Sequence, residues 1–162
     1  MYEELLTLLR ERNGKLASAE SCTGGLVAAA FTDIPGISEV FQGGVVAYDN
    51  SVKMQLLQVP EDVLIKFGAV SEECAGFMAS GAAQAAGANY AVSTTGIAGP
   101  TGAVPGKPVG TVCIGYYLDG RVITETNHFS GNRSEVRNQA VARAITHLIE
   151  LLQDQHIVTN KN

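Results

Sequence analysis

Apolar positions in "MYEELLTLLRERNG" recur at Leu5, Leu8 and Leu9, at helical spacing. That is the spacing of one buried helix face, and Asn13-Gly14 supplies the stop. "KLASAES" switches to a short strand that runs into Cys22-Thr23-Gly24-Gly25, where the glycine pair opens a second helix, "GLVAAAFTDI", closed by Pro35-Gly36. "VFQGGVVAYD" has the β-branched and aromatic content of a buried strand, and "NSVKMQLLQV" reads as a helix begun by Asn50 or Ser51. Pro60 starts a short helix through about Phe67. Ser71, followed by Glu72 and Glu73, caps an Ala-rich helix running to about Ala86.

Beyond it, "NYAVSTTGIAGP" is a strand that enters glycines, and "VGTVCIGYYLDGRVITETNHF" holds two strands around Asp119-Gly120, a dipeptide favoured in two-residue hairpins. The last helix starts near Asn132 with Glu135 as its capping-box partner. Val136, Ala140, Ala144, Leu148 and Leu152 lie along one stripe of it. Strands alternating with helices, closed by one hairpin, predict an α/β fold: a three-layer α/β/α sandwich around a mixed sheet.

A chain of 162 residues fits one domain with a core that needs neither disulfides nor metals, here expected over 1–154 with a flexible tail over 155–162. Hydrophobic residues make up 46% and charged residues 17%, yet every apolar stretch is broken well short of the roughly 20 residues that span a bilayer. A soluble protein without membrane attachment is expected. The acidic, helical N-terminus lacks the features of a secretory signal, and Cys22, Cys74 and Cys113 form no C-x-x-C, which suits a reducing, cytoplasmic setting. A net charge of −5 argues against nucleic acid as a partner, while leaving room for a local pocket that holds one small anion.

Ser21, Cys22 and Thr23 place three nucleophilic side chains at a strand-to-helix turn, where free N–H groups can hold an anion or an oxyanion. An ordinary connection with a Ser or Thr cap explains the same residues equally well. A hydroxyl nucleophile needs a base. His147 lies mid-helix and His156 in the expected tail, both suited to surface or packing roles, whereas His128 ends a strand from which it can approach Cys22 as in a Cys-His amidase. Lysine is the other route, because a desolvated amine loses proton affinity. Lys53 lies in the first turn of the helix after the strand that ends in Tyr48, where the phenol could orient such a base or relay a proton, although a surface lysine and a packed aromatic account for the same positions.

"GPTGAVPGKP" looks like a phosphate loop, but Thr101 stands at its first glycine position and Pro108 replaces the hydroxyl residue after Gly106-Lys107. What survives is a glycine-rich loop suited to a small anion or to covering a ligand. Arg133 and Arg137 share one face at the start of the final helix, where a phosphate gains from dipole and guanidinium, although exposed ion pairs account for them too. No metal-binding pattern occurs, and no cofactor is expected.

Taken together and in order, "AESCTGG", "GGVVAYDNSVK", "GAVSEE", "TTGIAGPTG", "KPVGTV" and "FSGNRSEVRNQA" resemble the CinA C-terminal domain family, over about residues 3 to 152. That family includes the stand-alone nicotinamide-nucleotide amidases. The resemblance implies a mostly parallel five-stranded sheet with one antiparallel member, and a homodimer or higher homo-oligomer. It also implies hydrolysis of the carboxamide of nicotinamide mononucleotide to nicotinic acid mononucleotide and ammonia by a Ser-Lys hydrolase without metal. On that resemblance Ser21 is the nucleophile, Lys53 the base and Tyr48 its companion. Cys22, Thr23 and Gly24 form the N–H-rich edge, Thr95, Gly96, Ala98 and Gly99 the ligand loop, and Arg133 and Arg137 the basic pair that grips the ribose phosphate. The alternative from another class is a non-catalytic nucleotide-binding or sensor module built on the same loop and arginines.

Overall fold

The computed structural model describes the backbone of residues 1–160 and the side chains of 1–154. The expected tail over 155–162, with His156, lies outside the residues whose side chains are described. Five strands, β1 (Leu16–Glu20), β2 (Phe41–Val46), β3 (Tyr90–Gly96), β4 (Thr111–Leu118) and β5 (Arg121–His128), form one sheet in the order β2-β1-β3-β4-β5. β1 is parallel to both β2 and β3, whereas β4 runs antiparallel to β3 and to β5. β4 is therefore the one reversed member of a mixed sheet.

Helices cover both faces. Leu5 and Leu9 of α1 (Glu3–Glu11), Phe31 of α2 (Leu26–Thr32) and Ile145 and Leu148 of α6 (Arg133–Asn160) are fully buried in one core. On the other face α5 (Glu72–Ala86) packs over Ala17, Ala19 and Ala91, and α3 (Asn50–Leu57) and α4 (Glu61–Phe67) pack against α5. Small residues on α5 let backbones meet closely. A Cβ on Gly81 would stand 2.0 Å from the carbonyl oxygen of Leu57 at the end of α3, and one on Gly115 of β4 would stand 2.3 Å from that of Ala75. Those two glycines set how near α5 lies to its neighbours.

Local chemistry explains the boundaries. Asp119 (φ 49°) and Gly120 (φ 99°) both adopt left-handed backbone in the β4–β5 hairpin, as a two-residue turn between twisted strands requires. Asn132 and Glu135 exchange bonds, Asn132 N–H to Glu135 Oε1 at 3.0 Å and Glu135 N–H to Asn132 Oδ1 at 2.9 Å, which completes the capping box. Two expectations are corrected. β2 is not a buried strand but a sheet edge, with Val46 half exposed, because only β1 pairs with it. The cap of α3 is Asp49, whose carboxylate accepts from the N–H of Ser51, rather than Asn50 or Ser51.

Register then fixes where chemistry can occur. Glu20 of β1 stands opposite both Val46 of β2 and Thr94 of β3, so three parallel strands end level at one edge. The chain leaves β1 for β2 on one side and returns to β3 on the other, which opens a crevice at their carboxyl ends. The stretch after β3 crosses that edge as an ordered loop with its own small hairpin, Val104 and Lys107 exchanging backbone bonds of 3.1 and 2.9 Å. The Lys107 ammonium ties this loop to the carbonyl of Phe67 at the end of α4.

Candidate active site

Beyond β1 the chain turns within five residues, and Gly24 (φ 59°) and Gly25 (φ 105°) supply the left-handed backbone this demands. The ladder continues one residue past the strand, since Ser21 N–H donates to the Thr94 carbonyl at 2.9 Å. Glu20, buried at the strand's last position, anchors the turn from below. Its carboxylate accepts from the Thr23 hydroxyl at 2.6 Å and from the N–H groups of Val27 and Ala28 at 2.8 and 3.1 Å. The anion-seeking start of α2 is thus satisfied internally. Thr23, wholly buried, also bonds the Thr94 hydroxyl at 2.6 Å. Its side chain therefore braces the turn and does not line the cleft at this sheet edge.

Ser21, Cys22, Asn50, Lys53, Thr95 and Arg133 line a cleft of about 320 Å³ at this edge, together with Tyr48 and the loop residues Gly96, Ala98 and Gly99. Lys53 is 1% exposed. Its Nζ donates to the backbone carbonyl of Tyr48 at 2.9 Å, and no carboxylate of the described residues lies within 4.0 Å of it. Burial pushes the amine's proton affinity below the ordinary lysine range, an effect partly opposed by Cys74, Asp49 and Cys22 nearby. Ser21 Oγ makes no hydrogen bond of 3.5 Å or less among the described residues, so Ser21 and Lys53 line one cleft without being joined by a hydrogen bond.

Cys22 borders the same cleft, but burial pushes its thiol up to about 12. His128 lies elsewhere. Its ring contacts Thr111 Oγ1 at 3.4 Å and lines a separate groove on the α5 side of the sheet, so His128 does not pair with Cys22. His147 is engaged with Glu150 at 2.8 Å and packs edge-on to the Tyr116 ring.

Three roles suggested by the motifs take a different form. Tyr48 is 64% exposed, and its hydroxyl accepts from Arg133 Nη2 at 3.3 Å, so Lys53 meets the backbone of this residue and not its phenol. Arg133 also donates to the Gly99 carbonyl at 2.8 Å, which joins α6, the glycine loop and Tyr48 around the mouth. Arg137 does not line the cleft: Nε donates to the Cys22 carbonyl at 3.0 Å and Nη2 to that of Thr23 at 3.2 Å. Thr95 donates to the Ala69 carbonyl at 2.8 Å, and Gly96 sits where a Cβ would be 2.8 Å from the Thr111 carbonyl oxygen. Gly24 contributes through its backbone, as a Cβ there would lie 3.3 Å from Arg137.

Sequence reasoning missed Glu20 and Asn50. A single acid ending an otherwise apolar strand was the available signal for Glu20, while Asn50 was read only as a possible cap. Among the described residues no group of three or more His, Cys, Asp or Glu is arranged to hold a metal ion, and no helix is long and apolar enough to cross a membrane.

Comparison with known proteins gives a consistent kinship. The family model described as the CinA C-terminal domain matches residues 1–152. A CinA-like protein of Kosmotoga olearia is 46% identical over 145 residues, which covers 90% of this chain and 35% of the relative. A CinA-like protein of Thermotoga maritima is 45% identical over 98% of this chain and 38% of its own. The chain thus spans little more than a third of the curated relatives it matches. Among solved structures, a competence-damaged protein (CinA) superfamily member from Escherichia coli superposes with a TM-score of 0.90 at 34% identity, covering 93% of this chain and 87% of that one. The competence/damage inducible protein CihA from Agrobacterium tumefaciens gives 0.85 at 39% identity, covering 93% and 96%. With a family model matching residues 1–152, relatives 45 and 46% identical over nine-tenths or more of the chain and solved structures of the same fold, the chain belongs to the CinA C-terminal domain family.

Proposed function

We propose that this chain is an amidohydrolase that removes the carboxamide nitrogen of nicotinamide mononucleotide through Ser21 and Lys53. The observation that carries the reading is Lys53: a buried amine with lowered proton affinity and no carboxylate partner among the described residues, lining the same cleft as Ser21. A lysine held this way serves as a neutral base, whereas a structural lysine is ordinarily paired or exposed. The choice of substrate rests on the motif resemblance, and a 320 Å³ cleft with Arg133 at its mouth is compatible with a small phosphorylated ligand.

In the reaction Lys53 accepts the Ser21 proton as Oγ bonds to the amide carbon. The C–N bond then breaks, the nitrogen takes the proton from Lys53 and leaves as ammonia, and an ester remains on Ser21. Lys53 next draws a proton from water, whose oxygen replaces Oγ at the same carbon. The proton returns to Ser21, and the carboxylate product departs. The test is release of ammonia from nicotinamide mononucleotide, with Ser21→Ala as control. Binding without ammonia release would favour the sensor reading.

A further inference from the structure

Arg137 does not line the cleft, and its guanidinium is committed to two backbone carbonyls of the nucleophile's turn, those of Cys22 and Thr23. Such a contact fixes more than position. A trans peptide is planar, with C=O and the following N–H antiparallel. Holding the Cys22 carbonyl toward Arg137 therefore turns the N–H of Thr23 away from it. No oxygen of the described residues accepts from the N–H of Thr23 or of Cys22. An unpaired N–H beside a buried segment is costly unless something uses it.

We infer that Arg137 is a positioning residue for the amidase reaction, orienting the Cys22-Thr23 peptide so that its N–H meets the oxyanion formed when Ser21 Oγ attacks. The inference rests on the proposed function and deepens it. It also replaces the phosphate contact expected of this arginine, because its Nε and Nη2 already serve two backbone carbonyls and the residue does not line the cleft. Three further features act together with it. Gly24 leaves only 3.3 Å between its Cβ position and Nη2, so a side chain there would displace the clamp. Glu20 and Thr94 hold the Thr23 side chain from the opposite direction. Among the described residues no carboxylate lies within 4.0 Å of the guanidinium, so no ion pair competes with the two carbonyls for it.

The experiment is steady-state kinetics of the wild-type chain, Arg137→Ala and Arg137→Lys, each with nicotinamide mononucleotide and with nicotinamide riboside. A misaimed oxyanion donor lowers kcat, by about 10²-fold for an ångström-scale misplacement, with KM nearly unchanged and with the preference for the phosphorylated substrate kept. Arg137→Lys, with one point cation in place of a fork, recovers only part of the loss. Added guanidinium or methylguanidinium raises kcat of Arg137→Ala, which a general loss of folding would not permit. A rise in KM for the mononucleotide alone, with kcat intact, would overturn the positioning role and restore the phosphate contact. Absence of ammonia from the wild type would instead overturn the amidase reading and the role built on it.

Discussion

Lys53 Nζ and the carbonyl oxygen of Tyr48 are 2.9 Å apart across the turn that joins β2 to α3. The bond closes the turn on itself and holds the amine at the sheet edge with two of its three hydrogens, or a lone pair when neutral, left for the cleft. Lys53 is thereby fixed by backbone, and what tunes it is burial.

A buried lysine with lowered proton affinity costs stability, and the sign of the pH dependence follows. Between its folded and unfolded proton affinities the unfolded chain binds more protons, so stability rises with pH across that window. The cost is complete below the folded value and absent above the unfolded value of about 10.4. Lys53→Met should therefore unfold at a higher temperature than wild type at neutral pH, with the gain shrinking as pH approaches 10. The same variant should release no ammonia. In the wild type, kcat/KM should rise with pH and reach its plateau below the ordinary lysine range. Thermal denaturation and rate profiles over pH 6 to about 10 check both. A Lys53→Met protein less stable than wild type throughout would show that the amine is held in its charged form.

Cys22 lines the cleft beside Ser21, so its exclusion as nucleophile is a separate prediction. Its thiol, pushed up to about 12 by burial, is almost wholly protonated at neutral pH. Cys22→Ala should keep most of its turnover and lose roughly 1 kcal/mol of stability from the small void left. Alkylation by iodoacetamide should be slow. Ammonia release from Ser21→Ala that is lost on alkylation of Cys22 would reverse the assignment.

How much of this was legible in the sequence depended on how local each feature is. The Asp119-Gly120 hairpin and the Asn132–Glu135 box are set by residues within a few positions of one another, and both form as their chemistry predicts. Ser21 and Lys53 could be brought together on paper because each follows a strand whose end lies at the same sheet edge. The edge position of β2 could not be read, since strand order comes from pairings between distant segments. Nor could the direction of Arg137: its spacing from Arg133 puts both on one helix face, but only the packing of α6 beside the turn decides that one meets Gly99 and Tyr48 and the other two carbonyls. Thr23 illustrates the same limit, as its hydroxyl is claimed by Glu20 and by Thr94 from a strand some seventy residues later.

Tyr48 and Arg133 should separate cleanly under mutation. The phenol accepts one long hydrogen bond from Arg133 and is otherwise exposed, while the contact that holds Lys53 belongs to the backbone and survives side-chain change. Tyr48→Phe should thus cost about 1 kcal/mol at most, a factor of about five in kcat/KM. Arg133→Ala removes the tie between α6 and the Gly99 carbonyl as well as a cation at the mouth, and its main effect should be a higher KM for the mononucleotide. Kinetics of the two single variants decide the matter. A collapse of kcat in Tyr48→Phe would mean that the phenol takes part in proton transfer after all.

Glu20 carries the most concentrated set of bonds near the nucleophile, since one buried carboxylate accepts from Thr23, Val27 and Ala28. Removing it leaves the first N–H groups of α2 and a buried hydroxyl with fewer acceptors, and each such group costs about 1–3 kcal/mol when left unpaired. Glu20→Ala should lower the melting temperature by on the order of 10 °C, at roughly 2–4 °C per kcal/mol for a chain of this size. Glu20→Gln keeps one oxygen but turns the other site into a donor that faces N–H groups, so it should recover only part of the loss. Because Ser21 is the next residue in the chain, the loosened turn should also lower kcat in both variants at temperatures where they remain folded, by circular dichroism. A Glu20→Gln protein with wild-type melting and wild-type kcat would show that the charge on this carboxylate contributes nothing to holding the turn.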